Sequence, residues 1–390
     1  MPIKPSQVFA LLRQKRDDFK QFDVEAMRLV QQYRSALERS SQASSEVLAE
    51  QLQRAIASNP GATILEPFEA LPNWVLPANL RWQNRQESLA WVRDRLTGIA
   101  TFAVDGSQIF PSKDWSIPVA LVQIGWFENL HLPSGQYTKD IALDVMTPAE
   151  LKANNSGEPV DRRVNMRRFE METERLVRYM EEKAHCEECL VFFDGALIAS
   201  FADTFDGETR DFYVRCLLNL LRTSEACRVP LVGYIDTSYA RDLTLMLQRL
   251  HQLPEAQAVH DAQLFHWNMV WGDRTPLFLS QRSGILSEYQ EQAHQIAFTY
   301  LKTTHDGYPA RLEIPLWVYE AGWLDRVMDW VRGEVIIGSG YPYVIETADQ
   351  TAVLQSSDRQ MFLRILQDWA EQENLNLRLS RKMVSKVRRR

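Results

Sequence analysis

The sequence predicts an α/β protein built on a mixed sheet. Three observations lead there. Three apolar, strand-like runs stand close together between residues 99 and 145. After them, shorter apolar runs alternate with long amphipathic segments. Two of the apolar runs also end alike. These are Ala103-Val104-Asp105-Gly106-Ser107 and Phe192-Phe193-Asp194-Gly195-Ala196-Leu197, each closing on an aspartate and then a glycine. Strands grouped first and then alternating with helices are the pattern of a mixed sheet covered by helices.

The elements follow in order. Residues 6–57 carry Phe9, Leu12, Phe19, Met27, Val30, Tyr33 and Leu37 at helical spacing among charges. The break Ser40-Ser41-Gln42-Ala43-Ser44-Ser45 divides them into a helical hairpin, used either for packing or for dimerisation. Pro60, Pro67, Pro72 and Pro77 then read as an irregular linker. A helix is expected at 86–96. Strands are expected at 99–104, 118–127 and 136–145, the last two joined by a turn at Pro133-Ser134-Gly135. Helix 162–183, strand 190–193, helix 211–222, strand 229–235 and helix 239–250 complete the series. The order β-β-β-α-β-α-β-α is that of a ribonuclease-H-like core: a hairpin meander, then parallel strands joined by helical crossovers. The expected division is a helical region and linker at 1–95, the core at 96–365, and a helix end with a basic tail at 366–390.

Composition narrows the function classes. The 390 residues are 45% hydrophobic and 10% aromatic, as in a globular protein with a sizeable core. No apolar run is long enough to span a membrane, and Met1-Pro2-Ile3-Lys4-Pro5-Ser6 lacks the apolar centre of a signal peptide. The expectation is a cytoplasmic protein with no membrane partner. The net charge of −7 argues against binding nucleic acid over the whole surface, but leaves room for a local basic track. Arg378, Arg381, Lys382, Lys386, Arg388, Arg389 and Arg390 have no acid among them. They form either a solvated tail or a phosphate-binding arm. Cys186 and Cys189 make a CxxC that Cys216 and Cys227 do not repeat, so idle thiols are expected rather than zinc. No Walker A motif is present, and any ATP-driven motor would come from a partner.

In this topology Asp105 ends the first core strand and Asp194 the fourth, and those strands are neighbours. Two carboxylates distant in sequence then lie side by side and can bind a hard divalent cation. Each following glycine lets a bulky ligand approach. Alone, either Asp-Gly would be ordinary turn chemistry. The helix Arg167-Arg168-Phe169-Glu170-Met171-Glu172-Thr173-Glu174 should add a third acid. Glu170 and Glu174 share a face, and Glu172 is expected to point elsewhere. Two cations about 3.5–4 Å apart hold the attacking water and the leaving oxygen of a phosphodiester. Arg274 and Arg311 either grip phosphate or pair with Asp273 and Glu313. Trp267 and Trp271, four apart, are expected to pack in the core rather than stack on bases. His260, His266, His294 and His305 show no metal-binding spacing.

Several short strings together resemble the NurA family of nucleases. They are Val104-Asp105-Gly106-Ser107, the Arg-x-x-Glu of Arg167–Glu170, and Phe193-Asp194-Gly195. Gly272-Asp273-Arg274-Thr275-Pro276-Leu277-Phe278 and Ala310-Arg311-Leu312-Glu313-Ile314-Pro315 follow, and then Gly340-Tyr341-Pro342-Tyr343 running into Glu346-Thr347-Ala348-Asp349. The resemblance spans about residues 95–365. It implies a Mn²⁺-dependent (or Mg²⁺-dependent) deoxyribonuclease cutting single- and double-stranded DNA with 5′-to-3′ polarity during end resection. It also implies a homodimer and a HerA-type hexameric ATPase translocase as partner. The family's ligands map onto Asp105, Glu170 and Asp194. Its late histidine, following an alanine, is replaced here by Asp349, which gives an all-carboxylate set of Asp105, Glu170, Asp194 and Asp349. Arg274, Arg311, Arg388, Arg389 and Arg390 are the DNA-contact candidates. The family's Gly-x-Ser-Lys is here Gly233-Tyr234-Ile235-Asp236, so an acid replaces a lysine. Asp236 is either a further ligand or simply the end of its strand. Two other readings compete: a catalytically silent subunit that binds DNA or the translocase, and a different ribonuclease-H-like enzyme such as a resolvase or an RNA-directed nuclease.

Overall fold

The computed structural model describes residues 3–55, 60–152, 160–378 and 380. Two compact units emerge, each assembled from separate stretches: Met1–Arg81 with Ile235–Glu313, and Trp82–Tyr234 with Ile314–Arg390. The consecutive segments 1–95, 96–365 and 366–390 are not these units, because residues 235–313 share a core with the N-terminal helices.

The first unit opens with α1 (Pro5–Gln14), α2 (Arg16–Ser40), α3 (Ser45–Ala55) and a short strand β1 (Gly61–Ile64). The Ser-rich break falls between α2 and α3, as its composition suggested. β1 was not foreseen, since four residues between Pro60 and Pro67 show no periodicity.

The chain then enters the second unit through α4 (Arg85–Leu96), whose Asn84 side chain accepts from the Glu87 amide as an N-cap. The meander follows as β2 (Ala100–Ile109), β3 (Ala120–Asn129) and β4 (Tyr137–Met146). Next come α5 (Pro148–Leu151), α6 (Val160–Glu182), β5 (Cys189–Asp194), α7 (Gly207–Cys227) and β6 (Leu231–Ile235). Back in the first unit are α8 (Asp242–His251), α9 (Asp261–Phe265), β7 (Phe278–Gln281), β8 (Ile296–Leu301) and β9 (Ala310–Pro315). The second unit closes with α10 (Leu316–Glu320), α11 (Leu324–Ile337), α12 (Tyr343–Ala352) and α13 (Ser356–Gln372).

In the first unit β7 pairs antiparallel with β1 (Ser280 opposite Ala62) and with β8 (Phe278 opposite Phe298). Its core joins Tyr33 and Leu37 of α2 to Leu243, Met246 and Leu247 of α8 and to Phe278, Phe298 and Tyr300 of the strands.

In the second unit the strand order is β6-β5-β2-β3-β4. β2, β3 and β4 form an antiparallel meander, and β2-β5 and β5-β6 are parallel. This is the arrangement expected from the sequence. Helices cover both faces of the meander. Gly106 faces Glu172 and Arg168 of α6, and Gly125 faces Thr351 and Ala352 of α12. Gly125 pairs with Asp105, so it shares the Asp105 face, while Gly106 points to the other. On the α6 face the rings of Phe102 and Tyr179 stack at 3.8 Å.

Buried Glu334 of α11 fixes the start of α12. It accepts from the Val344 amide (2.9 Å) and from Thr101 Oγ1 (2.7 Å), and lies 2.9 Å from His131 Nε2. Gly125 sets how closely α12 lies on the sheet. A Cβ there would sit 2.6 Å from the Ala352 nitrogen and 2.8 Å from the Thr351 carbonyl carbon, both rigid backbone. Gly125→Ala should therefore lift α12 and lower stability by about 1–3 kcal/mol. Thermal unfolding checks this, and an unchanged midpoint would mean that α12 does not pack as described.

Candidate active site

Asp105 lies inside β2. It neither ends the strand nor starts a turn: the ladder with β3 continues through Ile109, opposite Leu121. Asp194 is the last residue of β5. Gly195 then turns the chain at φ +149°, a region glycine tolerates best. The parallel register places Ala103 opposite Phe192, so two residues further on Asp105 and Asp194 come level. The two Asp-Gly strings thus converge, as expected, although only one of them closes a strand.

Of the α6 acids, Glu172 rather than Glu170 turns towards the sheet, the reverse of the orientation expected from the sequence. Successive helical residues turn by 100°, so Glu170 and Glu172 point about 200° apart. Glu170 projects off the sheet, where its Oε2 accepts from Arg167 Nη1 at 2.8 Å, and Arg167 Nε in turn binds Asp144 at 2.6 Å. Glu172 projects onto the sheet and is only 8% exposed. It occupies the space that the missing Cβ of Gly106 leaves open. Its Oε1 has Arg168 Nε at 3.5 Å and no hydrogen-bond partner. The sequence does hold a signal for this. Phe169, Glu172, Leu176 and Tyr179 form one i, i+3, i+7, i+10 stripe, so the apolar phase of α6 marks Glu172 as inward-facing.

Asp349 reaches Asp105 from α12 and hydrogen-bonds to it. Burial pushes the Asp105 carboxyl up to about 6. The Gly106 amide opposes this shift, and the Asp349 hydrogen bond and the charges of Asp349 and Asp194 add to it. Burial likewise pushes Glu172 up to about 8, opposed by Arg168 and reinforced by Asp105 and Asp194. Tyr341 donates its hydroxyl to Asp194 Oδ1 at 2.9 Å, and its ring sits edge-on to Tyr234 at 5.1 Å. Arg168 Nη1 also donates to the Gly106 carbonyl at 3.1 Å. Tyr341 and Arg168 had no role in the sequence reading.

Among the described residues, no three acids stand close enough together to hold one ion as the side chains are placed. Their chemistry nevertheless suits a hard cation. Asp105 and Asp349 share a hydrogen bond on the α12 side of the sheet with Asp194 beside them, and Glu172 lies with Arg168 on the α6 side. One buried carboxylate oxygen, Glu172 Oε1, is orphaned.

The remaining candidates fall elsewhere. Arg274 is buried and bidentate on Glu66, Nη1 to Oε2 at 2.6 Å and Nη2 to Oε1 at 2.8 Å. Arg311 is 1% exposed and lies in a buried ion network with Asp242 (3.0 Å) and Glu313 (2.9 Å). Neither guanidinium can meet a phosphate, which corrects the expectation of DNA contact. The partner foreseen for Arg311 is present. Arg274 takes Glu66 rather than Asp273, whose carboxylate instead accepts the amides of Ala78 and Val270. Arg388, Arg389 and Arg390 lie outside the described residues. Asp236 follows β6 directly and is exposed. Buried Cys189 donates its thiol to the Cys186 carbonyl at 3.0 Å, and all four cysteines are free thiols. Among the described residues no helix is long and apolar enough to cross a membrane.

Residues 99–354 match the NurA domain family. The chain belongs to the NurA family of nucleases. No curated protein matches it. Among solved structures it is similar to a NurA with manganese, at 8% identity and a TM-score of 0.41, covering 83% of this chain and 96% of that one. A second NurA has 10% identity and a TM-score of 0.40, covering 73% and 95%. The catalytic domain of human endonuclease V has 11% identity and a TM-score of 0.34, covering 82% and 96%. Within the NurA span fall Asp105, Glu172, Asp194, Tyr341 and Asp349, but none of α1 to α3.

Proposed function

We propose that this NurA-family chain is a metal-dependent deoxyribonuclease, with Asp105, Glu172, Asp194 and Asp349 holding Mn²⁺ or Mg²⁺. The observation that carries this reading is the hydrogen bond between Asp105 of β2 and Asp349 of α12 beside Asp194 of β5, with Glu172 of α6 buried on the other face of the sheet. A bound cation would acidify a water and stabilise charge on the phosphodiester. The chain's own residues do the rest. Tyr341 holds one oxygen of Asp194 in place. Arg168 balances Glu172 and ties α6 to β2 at Gly106. Gly106 itself leaves room for the Glu172 carboxylate. Asp349 stands where the family carries a histidine, and its hydrogen bond to Asp105 supports an all-carboxylate site.

The finer parts of the reading are proposals of the same kind. The substrate is single- and double-stranded DNA, cut with 5′-to-3′ polarity during end resection in double-strand break repair. The partners are a HerA-type hexameric translocase and a second copy of the chain, for which the exposed Phe9, Phe19, Phe22 and Met27 of α1 and α2 offer surface. The cell compartment is the cytoplasm. Arg388, Arg389 and Arg390 supply phosphate contacts from the tail.

Cleavage of end-labelled linear DNA in Mn²⁺ tests the core of this. Glu172→Gln should lose activity on the order of a hundredfold or more. Glu170→Gln should stay within a few-fold of wild type. Wild-type protein inert in both cations would sink the enzyme reading and leave the silent binding subunit, which the replaced histidine favours.

A further inference from the structure

The first unit carries a feature that the carboxylate site does not use. Five aromatic rings run in one continuous row: Tyr239, His260, Tyr308, His266 and Trp267. Successive ring centres are 5.0, 6.5, 4.9 and 4.5 Å apart. Its exposed members are large. Trp267 is 73% exposed, Tyr239 72% and Tyr308 46%. Trp267 therefore does not pack in the core as the sequence suggested. Its neighbour Trp271 does turn inward and donates its indole N–H to the Thr303 carbonyl at 2.9 Å. Exposing most of one indole and one phenol, and nearly half of another, is costly for a surface with nothing to cover it.

The His266 end of the row is held by hydrogen bonds. The Gly307 carbonyl takes Lys302 Nζ at 2.6 Å and lies 3.0 Å from His266 Nδ1, and the Gly307 amide is held by Thr304 Oγ1 at 3.1 Å. Both imidazoles are harder to protonate than a free histidine. Burial and then Arg241 lower His260, and burial followed by Lys302 lowers His266.

Cations border the row. Arg241 acts on His260, and Lys302 and Arg34 act on His266. Arg241 Nε and Nη2 and Arg34 Nε are buried with no hydrogen-bond partner. The acid beside His266, Asp306, is itself paired with His305 at 2.7 Å. Exposed rings bordered by cations match bases flanked by phosphates better than they match an apolar protein face.

We infer that this aromatic row is a stacking platform for unpaired nucleobases, a binding site for single-stranded nucleic acid separate from the carboxylate cluster. It rests on the proposed function only in taking the strand to be DNA. Trp267 and Tyr239 stack on bases, and the charge of Arg241 favours the adjoining phosphate.

Fluorescence anisotropy of labelled oligo(dT) with the full chain, in EDTA so that no cation supports cleavage, tests it. Trp267→Ala and Tyr239→Ala should each weaken binding roughly tenfold, and together by the product. Duplex binding should change far less. Arg241→Ala should lower the salt slope of oligo(dT) binding by about 0.7. Unchanged oligo(dT) affinity in the double variant overturns the inference. So does an equal loss on duplex, and so does a change of oligomeric state by light scattering, which would make the row a protein interface. The two readings fail separately. Wild-type protein that binds oligo(dT) through these rings but never cuts DNA in Mn²⁺ refutes the nuclease alone. A double variant that cuts and still binds refutes the platform alone.

Discussion

Asp105→Asn should lower cleavage on the order of 10³-fold while raising the thermal midpoint of the metal-free protein. The activity loss follows from removing the acid that Asp349 and Asp194 flank. The gain in stability follows from its cost when no cation is present. In the folded chain the Asp105 carboxyl is raised from 3.8 to about 6, burial being the largest cause. A raised carboxyl means that the folded state keeps a proton the unfolded chain releases. The penalty is absent below about pH 4, grows as pH rises, and is complete above the folded value. Its size is about 2–3 kcal/mol. Glu172, raised to about 8, extends the same trend to higher pH. Metal-free wild type should thus lose stability steadily from about pH 4 to pH 8, and Asn at 105 should lessen the fall over the lower half of that curve, to which buried Asp261, also raised to about 6, contributes separately. Mn²⁺ should restore the wild type, by about 2.7 kcal/mol at a hundred times its dissociation constant. It should do little for the variant. Calorimetric melts across that pH range, with and without Mn²⁺, decide the matter. A wild type whose midpoint neither falls with pH nor responds to cation would refute this account of the site.

What the sequence disclosed, and what it hid, follows the range of the interactions. The meander and the parallel strands were legible because each strand carries its own apolar run and each crossover helix its own period. Asp105 and Asp194 were legible as a pair because strand order alone makes them neighbours. The choice between Glu170 and Glu172 was also local, but it depended on the phase of α6 rather than on a matching string. The Arg-x-x-Glu motif and the Phe169-Leu176-Tyr179 stripe disagree, and burial sides with the stripe. The two compact units were hidden because one of them joins residues 1–81 to 235–313. No window along the chain reports that Tyr33 and Phe298 share a core. The same holds for the arginines. Arg311 has an acid two positions away, but its other partner, Asp242, lies far back along the chain. Charge in sequence could not tell a buried fork from an exposed one.

Arg311→Met should cost about 3–5 kcal/mol and lower the midpoint by roughly 10 °C, the largest stability loss expected from a single change outside the carboxylate site. Arg311 Nη1 lies 3.0 Å from Asp242 Oδ2 and 3.2 Å from the Tyr300 hydroxyl, and its Nε donates to Glu313 Oε1 at 2.9 Å. The guanidinium rests 3.8 Å over the Phe298 ring. Arg282 binds both oxygens of Asp242, at 2.9 and 2.8 Å, and Ser280 adds a third bond to the same carboxylate. The Tyr300 hydroxyl passes the network on to Asp261, which caps the first amides of α8 at Leu243 and Thr244. Three buried acids thus share two guanidiniums. Removing one leaves Asp242 and Glu313 undercompensated where water cannot reach them. Arg311→Lys should rescue little, because one ammonium cannot replace two directed bonds of a planar fork. The buried position also fixes what should not change. The salt slope of DNA binding by the folded variant, measured well below its midpoint, should equal that of wild type, since a 1% exposed side chain releases no counterion from phosphate. A variant that melts like wild type but whose salt slope falls by about 0.9 on duplex would return Arg311 to the DNA surface.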